Sequence, residues 1–296
     1  MFSWEPGHLS FTIDLALAFL LGVVHGVTPD EHTWPITFSY AVGGYSARRG
    51  MRAGLIFSLA FAIQCAVASE LAFLGLAHWQ ANARTEYVVD FVVGVVMAAA
   101  GIFMMGRSIF SFAGNAQHTK RPGHNEAGLR DPRPWMPALH GFVAGWGVGP
   151  FTAIVYTTLA PAMPSAAIAW LPGLVFGLGT LVIQGFAGAA IGAWLASRGL
   201  SLADVRRIGL TTAARTLRWG GLAFMLYGIF GVVFPHIAGI AITTPIRIPN
   251  LHELGIPFLL LIMVVMGIGM TSLITAVRSQ IHAIKPATLS MTKPES

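Results

Sequence analysis

The chain has 296 residues, of which 55% are hydrophobic and only 10% are charged, and its mean hydropathy is +0.68. A soluble domain usually carries about 25% charged residues, so this composition excludes an ordinary soluble protein and indicates a polytopic membrane protein. The net charge of +6 comes from basic residues in short loops between apolar segments, which are topology signals rather than a nucleic-acid surface. The single cysteine, Cys65, excludes disulfides and paired-cysteine metal or redox sites.

Apolar segments predict an all-α protein with seven membrane spans. They lie near residues 10–47, 51–78, 87–111, 136–163, 169–196, 214–240 and 254–277. As one straight helix the first would be about 55 Å long, against a hydrocarbon core of about 30 Å, so we expect it to break between Gly26 and Pro29. The first ten residues lack the positive charge of a signal peptide, so we expect this segment to be retained.

The basic residues predict the orientation of the spans. Sixteen of the 18 Lys and Arg residues follow spans 1, 3, 5 and 7. By the positive-inside rule these connections lie in the cytoplasm, which puts the N-terminus outside and the C-terminus in the cytoplasm. The expected location is a bacterial-type inner (plasma) membrane.

The first half of the chain recurs in the second. HGVTPDEHTWPIT at 25–37 aligns with HGFVAGWGVGPFT at 140–152, GLIFSLAFAIQ at 54–64 with GLVFGLGTLVIQ at 173–184, and GVVMAAAGIF at 94–103 with GLAFMLYGIF at 221–230. Each unit has three spans, and three is an odd number, so we expect the second unit to be inverted relative to the first. Inverted repeats are typical of transporters, whose sites lie near the midplane at broken helices.

The repeat divides the chain into four parts. We expect a first three-helix repeat at 1–112, a cytoplasmic loop at 113–135, a second three-helix repeat at 136–240, and a seventh helix with a cytoplasmic tail at 241–296.

The stretch HGVTPDEHTWP at 25–35 holds most of the titratable chemistry of the first span. Ionisable groups at membrane depth are costly and indicate function. On a continuous helix, His25 and His32 would be about 10.5 Å apart along the axis, so only a break could bring both imidazoles and Asp30 to one ion. Imidazole with carboxylate suits Ni²⁺, Co²⁺, Zn²⁺ or Fe²⁺ better than Mg²⁺ or Ca²⁺.

Other readings of this stretch stay open. Thr28, Pro29 and Glu31 have the spacing of a helix start, with Thr28 as N-cap and Glu31 completing a capping box. The His and Asp side chains fit a hydrogen-bonded cluster that holds the bend, or a proton relay.

Further polar residues inside the spans are candidates for the pathway. His140, the repeat partner of His25, is a candidate third ligand. Gln64 and Gln184 are near-equivalent in the repeat and either face each other in the pathway or bond between helices. Thr28 and the matched pair Thr37 and Thr152 complete the pathway candidates. Glu70 and Asp90, toward the outer ends of spans 2 and 3, form a polar vestibule or lie in the interface.

The motif HGVTPDEH resembles the first-helix signature of the nickel/cobalt transporter group, the nickel–cobalt permeases and related NicO-type efflux proteins of the LysE/CcdA-like superfamily. Their signature is His-x4-Asp-His or His-x3-Pro-x-His, and here it is His25-x4-Asp30-Glu31-His32, one residue longer. The resemblance also covers the three-plus-three layout and the size. The thiol-disulfide carriers of the superfamily need paired cysteines, which this chain lacks.

The resemblance implies a secondary transporter of a divalent transition metal, nickel or cobalt first, and not an enzyme. It places the selectivity site at His25, Asp30 and His32, with His140 and Gln184 as further candidates. Glu31 completes the predicted set of metal ligands, and we expect no tightly bound cofactor. No G-x4-G-K-[ST] loop for ATP is present. Open alternatives are a non-transporting accessory subunit, or an exporter of a small solute with a His/Asp proton relay. Import or export, and action alone, as a homo-oligomer or with a partner subunit, also stay open.

Overall fold

The protein is mostly helical and has the helices of a membrane protein. The computed structural model describes residues 11–28, 30–77, 82–106, 128–246, 248 and 251–278. Within these ranges, five helices are long and apolar enough to cross a bilayer: Ala47–Leu76, Arg84–Met104, Ala166–Ala196, Leu202–Val233 and Ile256–Arg278. The expected helical membrane class is therefore confirmed, and these five helices correspond to predicted spans 2, 3, 5, 6 and 7.

The helices are named here in chain order. They are α1 (Phe11–Val27), α2 (Trp34–Gly43), α3 (Ala47–Leu71), α4 (Ala83–Met104), α5 (Trp135–Ala144), α6 (Pro150–Ile154), α7 (Leu171–Ala196), α8 (Leu202–Val233), α9 (Pro235–Ala238) and α10 (Ile256–Ile262). Segments of π-helix at Ala72–Leu76, Val155–Leu159 and Met263–Met270 continue α3, α6 and α10, and a short 3₁₀ turn covers Ala166–Ile168. Strands β1 (Ala241–Thr243) and β2 (Glu253–Gly255) form an antiparallel hairpin with Ala241 opposite Gly255.

The first predicted span consists of two shorter helices, as its length requires. Helix α1 ends at Val27, and α2 begins at Trp34 with Pro35 in its first turn, where proline is tolerated. The helix does not restart at Thr28, because the Thr28 hydroxyl donates to the carbonyls of Val24 and His25 at the end of α1. Pro29, the other residue expected at the break, lies outside the described residues.

The fourth predicted span, expected as one crossing at 136–163, is broken as well. Helix α5 ends at Ala144 and α6 begins at Pro150, with three glycines in the segment between them. Both breaks are therefore followed by a helix with a proline in its first turn, and Pro35 and Pro150 are aligned in the sequence repeat.

Helix α8 begins at Leu202, not near 214, so Arg206 and Arg207 lie in the helix rather than in the preceding loop. The Ser201 hydroxyl accepts a hydrogen bond from the amide of Asp204, which caps the helix well before its apolar part. Hydropathy detects only the apolar part of such a helix, so the predicted boundary fell too late.

Glycines set the packing of the central helices. Gly50 meets the backbone of Gly188, and Gly173 meets the backbone of Cys65, so α3 and α7 are antiparallel and in close contact. Gly22 of α1 meets the backbone of Phe176 on α7. These positions have no room for a Cβ, so the backbones approach as closely as small residues allow.

The pair α4 and α8 packs with reciprocal contacts. A Cβ at Gly94 would meet the Gly221 carbonyl, and a Cβ at Gly221 would meet the Gly94 carbonyl. Further along, Gly101 faces the amide of Arg218, and Gly228 faces the amide of Phe91. Each contact has a partner 127 positions away with the roles of the helices exchanged, so the interface relates the two antiparallel helices by a local two-fold axis.

The largest buried apolar cluster lies between α2, α4 and α8, beside the first break. Its most buried members include Ile36, Tyr40, Met97 and Phe224.

Candidate metal centre

The turn between α1 and α2 is built around Asp30. Its Oδ1 accepts hydrogen bonds from the backbone amides of His32 and Thr33, each 3.0 Å long. The indole of Trp34 donates to the Thr28 carbonyl at 3.0 Å and closes the same turn. The side chain of Asp30 therefore holds the unwound segment and fixes where Glu31 and His32 leave the backbone.

The His32 ring lies between the first break and two other parts of the protein. Its Nε2 is 3.0 Å from Oδ1 of Asp90 on α4. On another side, a Cβ at Gly147 would lie 2.8 Å from Cε1 of the ring, so His32 packs against the backbone of the second break. The two broken segments thus meet at His32.

Helix α4 places two carboxylates on the side that faces His32. Glu86 lies in the first turn of α4, and Asp90 lies one turn further along, so both side chains project from the same face. Two carboxylates with this spacing repel each other unless a cation or a proton lies near them. The face of α4 is therefore suited to a positive charge at the position of His32.

Three residues converge closely enough that together they could hold a metal ion. One ligand atom from each of Glu31, His32 and Glu86 lies within 4.8 Å of the other two. Ligand atoms about 2.1 Å from one tetrahedral ion are about 3.4 Å apart, so each separation within the group would shorten by up to about 1.4 Å on binding an ion. The side chain of His32 is 6% exposed and that of Glu31 is 19% exposed, so the group is sheltered but within reach of solvent.

The two ring nitrogens of His32 have different contacts. With Nε2 donating to Asp90, Nδ1 keeps its lone pair and lies 3.8 Å from Oε1 of Glu31. Metal-binding histidines commonly donate their second ring N–H to a carboxylate, which fixes the tautomer and the orientation of the ring. Asp90 is in position to do this.

His25 is not part of the converging group, although the sequence predicted it as a ligand. Its ring is buried among Phe61, Phe151 and Phe176, with ring centroids 5.3 to 5.8 Å away. Its Nδ1 lies 4.0 Å from Oδ2 of Asp30, and its Nε2 has no hydrogen-bond partner among the described residues. The expected triad of His25, Asp30 and His32 is therefore divided. The Asp30 carboxylate lies near the His25 ring, but it contacts His32 at the backbone amide, and the His32 ring lies with Glu31 and Glu86.

His140 also lies apart from the group. Its Nδ1 is 2.8 Å from the Met136 carbonyl of the same helix and 3.0 Å from the Tyr40 hydroxyl, and the second contact connects α5 to α2.

The two glutamines do not face each other across a pathway. Gln64 Oε1 lies against Gly145, whereas the Gln184 backbone lies against Gly54, ten residues or about 15 Å earlier on α3. Both amides are buried and lack hydrogen-bond partners among the described residues.

Two of the three threonines expected along the pathway make local hydrogen bonds. Thr28 bonds back to α1, as described above, and Thr152 donates to the Gly149 carbonyl at 2.9 Å at the start of α6. Thr37 is 3% exposed, and its hydroxyl has no partner among the described residues.

Glu86 was missed by the sequence analysis, which placed it just before the third span. Its signal was the i, i+4 spacing to Asp90 at the start of an apolar helix. That pattern does not show which other segment lies opposite, and the proximity of α4 to the first break is a tertiary fact.

Comparisons of the chain with protein-family models, with curated proteins and with solved structures returned no match.

Proposed function

We propose that this protein is a secondary transporter of a divalent transition-metal ion, which it binds as substrate between Glu31, His32 and Glu86. The observation that carries the proposal is the convergence of one imidazole and two carboxylates where the two broken helices meet.

The donor set favours a transition metal over other cations. Mg²⁺ and Ca²⁺ prefer oxygen ligands alone, whereas an imidazole nitrogen suits Ni²⁺, Co²⁺, Zn²⁺ and Fe²⁺. Two carboxylates neutralise a divalent ion, which reduces the cost of holding it in a low-dielectric environment. Nickel and cobalt come first among these metals because the HGVTPDEH motif resembles the nickel/cobalt transporter group.

The architecture supports transport rather than static binding. Transporters with inverted repeats bind substrate at unwound segments near the repeat interface. Here Gly147 of the second break packs against His32 of the first. The reciprocal contacts of α4 and α8 are those expected of the third spans of two inverted units, so we include the three-plus-three repeat with a seventh helix in the proposal.

The first and second spans of each unit add to this support. Gly22 of α1 meets the Phe176 backbone, and Gly141 of α5 meets the Phe57 backbone in the same way. Phe57 and Phe176 are aligned positions of the repeat, so α1 packs on α7 as α5 packs on α3.

Radiometal transport by cells expressing the protein tests the proposal. We expect wild type to change cellular ⁶³Ni or ⁵⁷Co content relative to empty cells, in uptake or in efflux. His32→Ala and Glu86→Gln should each lower the initial rate at least about tenfold, because each removes one of three ligands. Competition with Zn²⁺ and Fe²⁺ would rank the metals.

Matched controls separate ligand loss from misfolding. His236→Ala removes an exposed histidine of α9, and Glu70→Gln removes a carboxylate of α3 outside the group. Both should keep the wild-type rate at equal membrane abundance. Equal rates in wild type and in His32→Ala and Glu86→Gln, or transport of an organic solute that chelators do not affect, would contradict the proposal.

A further inference from the structure

A cavity lined by several arginines lies at the end of α2, away from the first break. It has a volume of about 270 Å³, room for several waters, since one water occupies about 30 Å³. Three segments line it: the end of α2, the first turns of α3, and the residues that lead into α5. We call it the arginine cavity, because Arg49, Arg52 and Arg133 are among its lining residues.

The charge of the arginine cavity is not balanced by the described residues around it. Asp131 also lines it, but its Oδ1 is 3.3 Å from Nε of Arg206, which is not a lining residue. Arg49, Arg52 and Arg133 form no salt bridge with a carboxylate among the described residues. Arg49 and Arg133 stack on aromatic rings, which positions their guanidinium groups without neutralising them.

The backbone adds positive potential at the same place. Arg49 and Arg52 lie in the first two turns of α3, and Arg133 lies two residues before α5 begins. A helix N-terminus carries a partial positive charge, so cations there are unfavourable unless an anion lies nearby. A bias of basic residues to one side of the membrane requires only their presence on that side. It does not account for three of them around one cavity.

We propose that the arginine cavity binds the phosphate of an anionic phospholipid, with the guanidinium groups of Arg49, Arg52 and Arg133 around it. Basic pockets between membrane helices bind such headgroups, and arginine forms paired hydrogen bonds to phosphate oxygens.

A lipid fits the surroundings better than a free anion. The two helices that begin at the cavity also carry exposed apolar side chains, Met51 on α3 and Trp135 and Leu139 on α5. Tryptophan is enriched at the membrane–water interface, where phosphates of lipids lie. These residues offer acyl-chain contacts that inorganic phosphate could not use.

Bound lipid would join three segments of the bundle. Tyr40 of α2 lines the cavity, and its hydroxyl lies 3.0 Å from Nδ1 of His140 on α5. A headgroup held by Arg49 and Arg133 would therefore brace the short helix α2 against α3 and α5. This role is independent of the metal proposal, because none of the three arginines belongs to the metal group.

Lipid titration of the purified full-length protein in micelles tests the inference. We expect phosphatidylglycerol to raise the thermal midpoint, and phosphatidylcholine or inorganic phosphate to have little effect. The double variant Arg49→Gln/Arg133→Gln should weaken the apparent phosphatidylglycerol affinity about fivefold for each guanidinium removed. The control Arg48→Gln/Arg207→Gln removes the same charge from exposed positions outside the cavity and should respond as wild type.

Native mass spectrometry of retained lipid gives a second readout if the cavity variant is itself less stable. Retained phosphatidylglycerol in wild type and in the control, but not in the cavity variant, would support the inference. Equal loss in the control would show a general effect of surface charge and overturn it. Equal stabilisation by inorganic phosphate or by phosphatidylcholine would overturn the assignment to an anionic lipid.

Discussion

Glu86 and Asp90 lie one helical turn apart on α4 but have different positions relative to His32. Glu86 belongs to the group whose ligand atoms converge, whereas Asp90 Oδ1 lies 3.0 Å from Nε2 of the same imidazole. The first would bind the metal, and the second would orient the ring that binds it. Asp90 is the more buried, with a side chain 2% exposed, as suits a residue that acts through a neighbour.

Asp90→Asn tests this positioning role. The amide keeps the shape and an acceptor oxygen but loses the negative charge beside the His32 ring. We expect the dissociation constant for Ni²⁺, measured calorimetrically on purified protein, to rise about 10- to 100-fold. The thermal midpoint should stay near that of wild type.

Glu70→Gln is the matched control for that measurement, because it also replaces a sheltered carboxylate within the bundle. It should leave the Ni²⁺ affinity unchanged. If Asp90→Asn binds Ni²⁺ as tightly as wild type does, the contact of Asp90 with His32 has no part in metal binding.

At the scale of the helices, the close packing of α4 and α8 depends on glycines in equivalent positions. Gly101 faces the Arg218 amide and the Ala214 carbonyl, and Gly228 faces the Phe91 amide and the Tyr87 carbonyl. A side chain at either position would meet backbone, which cannot move as a flexible side chain can.

Gly101→Val and Gly228→Val should therefore destabilise the protein by similar amounts. Overpacking typically costs about 1–3 kcal/mol, and the upper part of this range is expected against backbone. Thermal unfolding in detergent would measure both losses. Gly267→Val is the control, because the nearest atom to its Cβ is the flexible Met263 side chain at 3.8 Å. Tolerance of one variant and severe loss in the other would contradict the reciprocal interface.

The sequence predicted some features of these helices and not others, for physical reasons. The length of the first apolar segment requires a break, and the break is at the predicted place. The sequence aligns Gly26 with Gly141. In the structure the equivalent of Gly141 is Gly22, one helical turn earlier, because Gly22 contacts Phe176 as Gly141 contacts Phe57. An alignment of two helices can be displaced by about four residues while the aligned residues stay on the same face. Only the contacts in the structure therefore determine the register.

The site was predictable to the extent that it is local. His32 and Glu31 belong to one short motif, and chemistry at membrane depth singles them out. Glu86 lies near them because of the packing of α4. The His25 ring lies apart from them, surrounded by three phenylalanines from other helices. Both outcomes depend on long-range contacts, which spacing along the chain cannot give.

At the scale of the whole molecule, the helix directions predict which exposed segments share a side of the membrane. The start of α3 and the end of α7 lie together, because Gly50 contacts Gly188. The segment before α7 lies at the opposite end, because Gly173 contacts Cys65. The hairpin after α8 lies at that opposite end too, because Gly209 near the start of α8 contacts Val42 and Leu195 at the first end.

Single-cysteine labelling in intact cells measures these positions, and the chain is well suited to it because Cys65 is buried. Arg48→Cys and Arg198→Cys place thiols at the arginine-rich end, and Ser165→Cys and Thr243→Cys place them at the other end. Because basic residues stay on the cytoplasmic side, the first two should react with an impermeant maleimide only after lysis, and the last two before it. If the first two thiols react before lysis and the last two only after it, the orientation in the membrane is the reverse of the predicted one and the helix packing is unaffected. Different sides for Arg48→Cys and Arg198→Cys would contradict the antiparallel packing of α3 and α7, and with it the architecture on which the transport proposal depends.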